Sequence, residues 1–253
     1  MKKLLAIAAC ASAVAAFGTD VALDLGVVGV TAVTSSTTNT IVAVSYKDLA
    51  DGDGNVTASN LVKTTNLTLG DHLYVYNNGD FIAFELKGET SGVKYWEGVS
   101  TVGPTASGIA EVTDAISSDA DSARLTVGTG VWLVRGSSWD GAQFTFFIYG
   151  KPATETSVSI TSGTTKLVGN PTQTDKAPTF TTGPNNGDRI LVPFAASKTG
   201  MRTYTYVDGT GWRYSFKQTE DDYNFPSIPA GTGFWYVAVA TEHASTVEMS
   251  WSN

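Results

Sequence analysis

The segment Asp51-Gly52-Asp53-Gly54-Asn55 sets oxygen-bearing side chains at alternate positions of a glycine-rich stretch. That is the spacing by which a loop folds around a hard cation such as calcium. The sixth position is Val56 instead of glycine and the twelfth is Val62 instead of a bidentate glutamate, so a helical calcium hand is excluded. An Asp/Gly turn or a weak calcium site formed by Asp51, Asp53 and Asn55 remains; no other cofactor is expected.

Imidazole chemistry is confined to His72 and His243. No Gly-x-Ser-x-Gly elbow and no His-Glu-x-x-His helix accompanies them, so nothing in the chain sets a nucleophile against either ring. Carboxylates for glycoside hydrolysis are present at Glu85, Glu97 and Glu220-Asp221-Asp222, but the pairing such chemistry needs is a spatial quantity. Two Gly-Thr-Gly triplets, 128–130 and 231–233, lack the Gly-Lys-Ser/Thr ending and precede strands instead of helices, so they read as turns and not as phosphate cradles. Positive φ is expected at Gly130 or Gly233. Aromatic rings can stack on sugars, and Trp139, Trp212 and Tyr223 are the expected ligand contacts. Trp132 and Trp235, flanked by apolar neighbours, are expected in the core.

The elements that must position these groups are strands. The chain has 253 residues, 42% hydrophobic and only 16% charged, with 35 Thr, 26 Gly, 6 Trp, 10 Tyr and 11 Phe. β-Branched and aromatic side chains fit a pleated surface, and glycine supplies turns. Apolar residues alternate in Leu73/Val75, Leu125/Val127, Phe144/Phe146/Ile148 and Val247/Met249/Trp251. Turn signals such as Asn78-Gly79 and Asp208-Gly209 lie between such runs. Ile109, Val112 and Ile116 are instead spaced for one face of a short helix, with Ser107 as its N-cap.

Similar motifs recur in the same order. Gly70-Asp71-His72-Leu73-Tyr74-Val75 returns as Gly187-Asp188-Arg189-Ile190-Leu191-Val192, and Gly128-Thr129-Gly130-Val131-Trp132 as Gly231-Thr232-Gly233-Phe234-Trp235, with Trp96 and Trp212 between them. The offset falls from 117 to 103 residues between the motifs, which places extra chain within Ser100 to Ser122. The expectation is all-β: two tandem antiparallel β-sandwich or small β-barrel modules at 17–152 and 153–253, after a cleaved signal peptide at 1–16. Lys2-Lys3 followed by apolar and small residues to Ala16 carries the export reading. Cleavage removes the single cysteine, Cys10, and leaves a thiol-free chain in the periplasm, at the cell surface or in the medium. Val21, Leu23 and Leu25 alternate and are read as the start of the first module's first strand, with donation to a neighbouring subunit as the alternative.

The stretch from Asn186-Gly187-Asp188 through Tyr204-Thr205-Tyr206-Val207-Asp208-Gly209-Thr210-Gly211-Trp212 to Ile228-Pro229-Ala230-Gly231-Thr232-Gly233-Phe234-Trp235 resembles a group of exported bacterial proteins of uncharacterised function built from tandem β modules. The opening Val27-Val28-Gly29-Val30 to Thr40-Ile41-Val42-Ala43-Val44 is similar too. The resemblance implies export and β architecture, and it brings no catalytic residues.

A formal charge of −8 and the absence of a basic run argue against nucleic acid. No apolar stretch reaches the roughly 20 residues of a membrane-spanning helix. The expected function is a secreted or cell-surface structural or interaction protein, not an enzyme, whose partners are other protein subunits or surface polysaccharide. A glycan-binding module is the alternative, and a glycoside hydrolase or outer-membrane barrel follows behind.

Overall fold

The structure is a computed structural model that describes residues 29–35, 39–47, 56–57, 67–77, 80–88, 92, 94–99, 101–105, 108–111, 124–136, 144–153, 155–193, 201–214, 224–240 and 246–252. It is all-β and antiparallel, without a helix among those residues. The strands of the first part are β1 (Gly29–Ser35), β2 (Asn39–Ala43), β3 (Tyr46–Lys47), β4 (Val56–Thr57), β5 (His72–Asn77), β6 (Asp80–Gly88), β7 (Lys94–Val99), β8 (Thr101–Thr105), β9 (Gly108–Glu111), β10 (Arg124–Leu125), β11 (Gly130–Val134) and β12 (Phe144–Pro152). Those of the second part are β13 (Glu155–Thr161), β14 (Thr165–Gly169), β15 (Thr179–Thr182), β16 (Arg189–Pro193), β17 (Met201–Val207), β18 (Gly211–Tyr214), β19 (Gly233–Val237) and β20 (Thr246–Ser252).

Each part contains a three-stranded and a five-stranded sheet. The orders are β1-β12-β3 and β2-β11-β5-β6-β7 in the first, β13-β20-β15 and β14-β19-β16-β17-β18 in the second. None of the sheets closes into a barrel, so the sandwich form of the expected fold is the one observed. Cores lie between the sheets of each part. Strand alternation sends Leu73, Val75, Phe84, Val131 and Leu133 inward against Val33 and Ile148 in the first. In the second, Ile190, Phe234 and Tyr236 meet Val158, Val247 and Met249. Each large apolar side chain so removed from water contributes roughly 1.5–3 kcal/mol.

The strand Gly108–Glu111 departs from the expectation. Gly108–Glu111 is a strand, paired with β8 in a two-stranded sheet, where the sequence spacing predicted the start of a helix. Backbone pairing satisfies the segment's polar groups without a helical turn, and only Ile109 of the three spaced apolar residues lies within the strand. This hairpin falls in the extra chain expected between Ser100 and Ser122, and β8 packs against β6.

Val21, Leu23 and Leu25 lie outside the described residues; β1 itself pairs with β12 of its own part from Gly29↔Gly150 to Ser35↔Phe144. No helix among the described residues is long and apolar enough to cross a membrane.

The two parts meet through reciprocal contacts. Ala43 donates its N–H to Gly231 O at 2.8 Å, and Gly169 donates to Gly128 O at 2.9 Å. Isolated bridges pair Val42 with Thr232 and Thr129 with Val168. In each case a residue of the Gly-Thr-Gly triplet of one part rests on the second strand of the other, which is the pattern of a two-fold arrangement.

Candidate functional site

Among the described residues Asp71 and Asp188 are the most buried charged groups, both wholly inaccessible. Each follows a glycine of positive φ, Gly70 at +86° and Gly187 at +89°, which turns the chain so that the carboxylate faces back under its own strand. Asp71 accepts from Thr68 N at 2.8 Å and Gly136 N at 2.7 Å and pairs with Arg135 Nε at 3.0 Å. Asp188 accepts from Asn185 N at 2.9 Å, Val239 N at 2.9 Å and the Tyr236 hydroxyl at 2.7 Å. Burial, and then the hydrogen bond to Asp188, push the Tyr236 phenol far above its ordinary pKa of 10.0. These carboxylates fasten the loop before β5 or β16 to the chain leaving β11 or β19. Such saturation leaves neither placed for proton transfer with a substrate.

Alternation puts His72 on the opposite side of its strand from Leu73, with Asp71 buried behind it. Its ring stacks on Tyr74 at 5.9 Å and 14°. Glu85 stands opposite His72 and also opposite Glu97, and Lys87 Nζ binds Glu85 at 2.6 Å. The two glutamates are thus side by side on one sheet face instead of facing each other across a cleft.

Of the three residues expected to contact a ligand, Trp212 is the one among the described residues. Trp212 is 4% exposed, boxed in by Tyr206, Phe225, Tyr236 and Phe180 at ring distances of 5.2–6.1 Å. Its ring faces are occupied by protein, so the expected sugar contact is corrected to a core role that the buried Trp96 shares. Trp139 and Tyr223 lie outside the described residues, as do Asp51, Asp53 and Asn55 of the candidate calcium loop, His243 and Glu220 to Asp222. Among the described residues no three His, Cys, Asp or Glu side chains gather in a way that could hold a metal ion.

The turn triplets also differ from expectation. Positive φ falls on Gly128 (+88°) and Gly231 (+71°), the first glycine of each, not on Gly130 or Gly233. The later glycines are needed for closeness: a Cβ on Gly130 would come within 2.9 Å of Ile41 Cγ2, and one on Gly233 would strike Val168 O. Gly231 itself sits over Thr31 Cγ2 and Val33 Cγ2, each 2.8 Å from a Cβ placed there, while Gly128 sits over Thr156 and Val158. The two turns are thus seated on each other's first strands.

Trp132 and Trp235 are half-buried instead of core. They lie on β11 and β19, each the second strand of its five-stranded sheet, on the side facing away from the core, and their rings meet edge to face at 6.3 Å. Around them lie Tyr74 (5.8 Å from Trp132), Phe81 (6.1 Å from Trp132, 5.7 Å from Trp235) and Tyr76 (5.3 Å from Trp235), all half-buried. Desolvation raises the Tyr74 pKa. The sequence signal for this ring face was the Tyr74/Tyr76 alternation opposite the inward Leu73/Val75; what escaped the sequence was the convergence of a second part on it.

Compared with known protein families, with curated proteins and with solved structures, the chain matches none.

Proposed function

We propose that the chain is an exported, non-catalytic interaction protein made of two copies of one β module. One observation carries this reading: the motifs that the sequence repeats, Gly-Asp at Asp71 and Asp188 and the Gly-Thr-Gly turns, are engaged as fasteners at equivalent places in both halves. Matching strand orders support the duplication, and Lys2-Lys3 with its apolar sequel supports export to the periplasm, cell surface or medium. The partners are further protein subunits or surface polysaccharide, and the half-buried ring face favours polysaccharide as the second reading.

Light scattering and electron microscopy of the purified mature chain test the assembly reading. Defined oligomers or filaments are expected. A monodisperse monomer at every concentration would transfer the function from assembly to ligand binding.

A further inference from the structure

The duplication supplies an internal control. Register equates the strands residue by residue, because His72↔Glu85↔Glu97 in the first half corresponds to Arg189↔Thr205↔Arg213 in the second. Positions that the module's fold requires should then be alike in both copies. Inward positions are mostly alike: Leu73 and Ile190, Val75 and Val192, Val131 and Phe234, Leu133 and Tyr236, with Ile82, matched by Arg202, the exception. Outward positions of the five-stranded sheet, apart from the shared Trp132 and Trp235, are not. Tyr74 corresponds to Leu191, Tyr76 to Pro193 and Phe81 to Met201, so three rings present in one copy are absent from the other. Tyr76 and Phe81 take Trp235 of the second half edge-on and so also serve the junction, whereas Tyr74, among the described residues, meets only rings of its own half, His72, Phe81 and Trp132.

We propose that this outward face of β2-β11-β5-β6-β7 is a stacking platform for an uncharged polysaccharide. Tyr74, Tyr76, Phe81 and Trp132 offer apolar surface to the C–H faces of pyranose rings, and His72 and Glu85 lie beside them to exchange hydrogen bonds with hydroxyls. Charge selects the class. Glu85 and Glu97 stand on the same face, and residues 17–152 carry 15 acidic against 7 basic side chains, whereas residues 153–253 carry 9 against 7. Uronic or sulfated polymers are repelled by such a surface; neutral ones are not. The proposal rests on the reading of the chain as an interaction protein and names the ligand of its ring face.

The experiment is sedimentation of the full mature chain with insoluble cellulose and chitin and affinity electrophoresis in neutral xylan, with pectate as the anionic control. Retention on at least one neutral matrix and none on pectate is expected. Tyr74→Ala should weaken it about tenfold, the value of one good stacking contact. Tyr95→Ala, at a 41% exposed position of the same face that truncation leaves folded, should weaken it less. Thr205→Ala, on the corresponding face of the second half, should leave it unchanged. No retention on any neutral matrix, preference for pectate, or retention indifferent to both tyrosine variants would overturn the proposal. So would an oligomer that dissociates on Tyr74→Ala, which would assign the face to a second copy of the chain while the interaction reading stood. Accumulation of new reducing ends would instead sink the non-catalytic reading and leave the sugar platform in place.

Discussion

Asp71 and Asp188 hold equivalent turns with different third partners, a guanidinium in one half and a phenol in the other. The difference sets what each loss should cost. Asp71→Ala leaves the Arg135 side chain, 2% exposed, without its counter-charge, and we expect about 3–5 kcal/mol of destabilisation in urea unfolding. Asp188→Ala strands two backbone N–H groups and a neutral hydroxyl, and should cost less, about 2–3 kcal/mol. Equal losses would show that the buried cation is satisfied by other means. Tyr236 yields an alkaline prediction. Its folded pKa is raised above the unfolded value of 10.0, so its contribution is fully present below about pH 10 and is lost as pH climbs beyond it. Tyr46 and Tyr74 are raised by burial as well and act in the same direction. Ultraviolet titration should therefore show phenols that ionise only with unfolding, and Tyr236→Phe should flatten the alkaline limb of the stability curve.

Strands were the most legible elements. The alternating runs Leu73/Val75 and Val247/Met249/Trp251 point inward as their period requires, and Asp208-Gly209 forms the turn between β17 and β18, with Gly209 at φ +71°. Legibility failed where long-range contact decided the outcome. Positive φ fell on the first glycine of each triplet, the one seated on the other half, and Ile109, read as part of a helical face, lies in a strand paired with β8. Trp132 and Trp235 misled for the same reason: apolar flanks imply burial, but alternation sends Val131 and Leu133 inward and leaves the tryptophan outside. Glycine substitutions separate local strain from seating. Gly209→Ala meets nothing within 4 Å, so it should cost about 1–2 kcal/mol for its backbone alone. Gly231→Ala bears the same backbone cost and in addition crowds Thr31, Val33 and Ile148, for a further 1–3 kcal/mol or so. Thermal unfolding of the two variants side by side measures the difference, and equal shifts would mean that the first strand yields easily.

At the scale of the molecule, the halves differ less in framework than in what they display. Interior residues and fasteners repeat, while the outward sheet faces have diverged into rings and carboxylates on one side and aliphatic and arginine side chains on the other. A search for function limited to the repeated motifs therefore finds only the framework, because repetition marks what folding demands. The reciprocal junction has a consequence for connectivity. Ala153 and Thr154 are the only residues between β12 and β13. Register equates Thr31 with Thr156 and Ile148 with Trp251, so a two-fold operation that exchanges the halves carries the stretch from Tyr149 of β12 to the start of β13 onto the gap from Ser252 to Gly29, which is correspondingly short. A circular permutant that splices Ser252 to Gly29 through a short linker and opens between Ala153 and Thr154 should consequently fold with its junction whole, as though the order in which the two halves are synthesised were a matter of indifference.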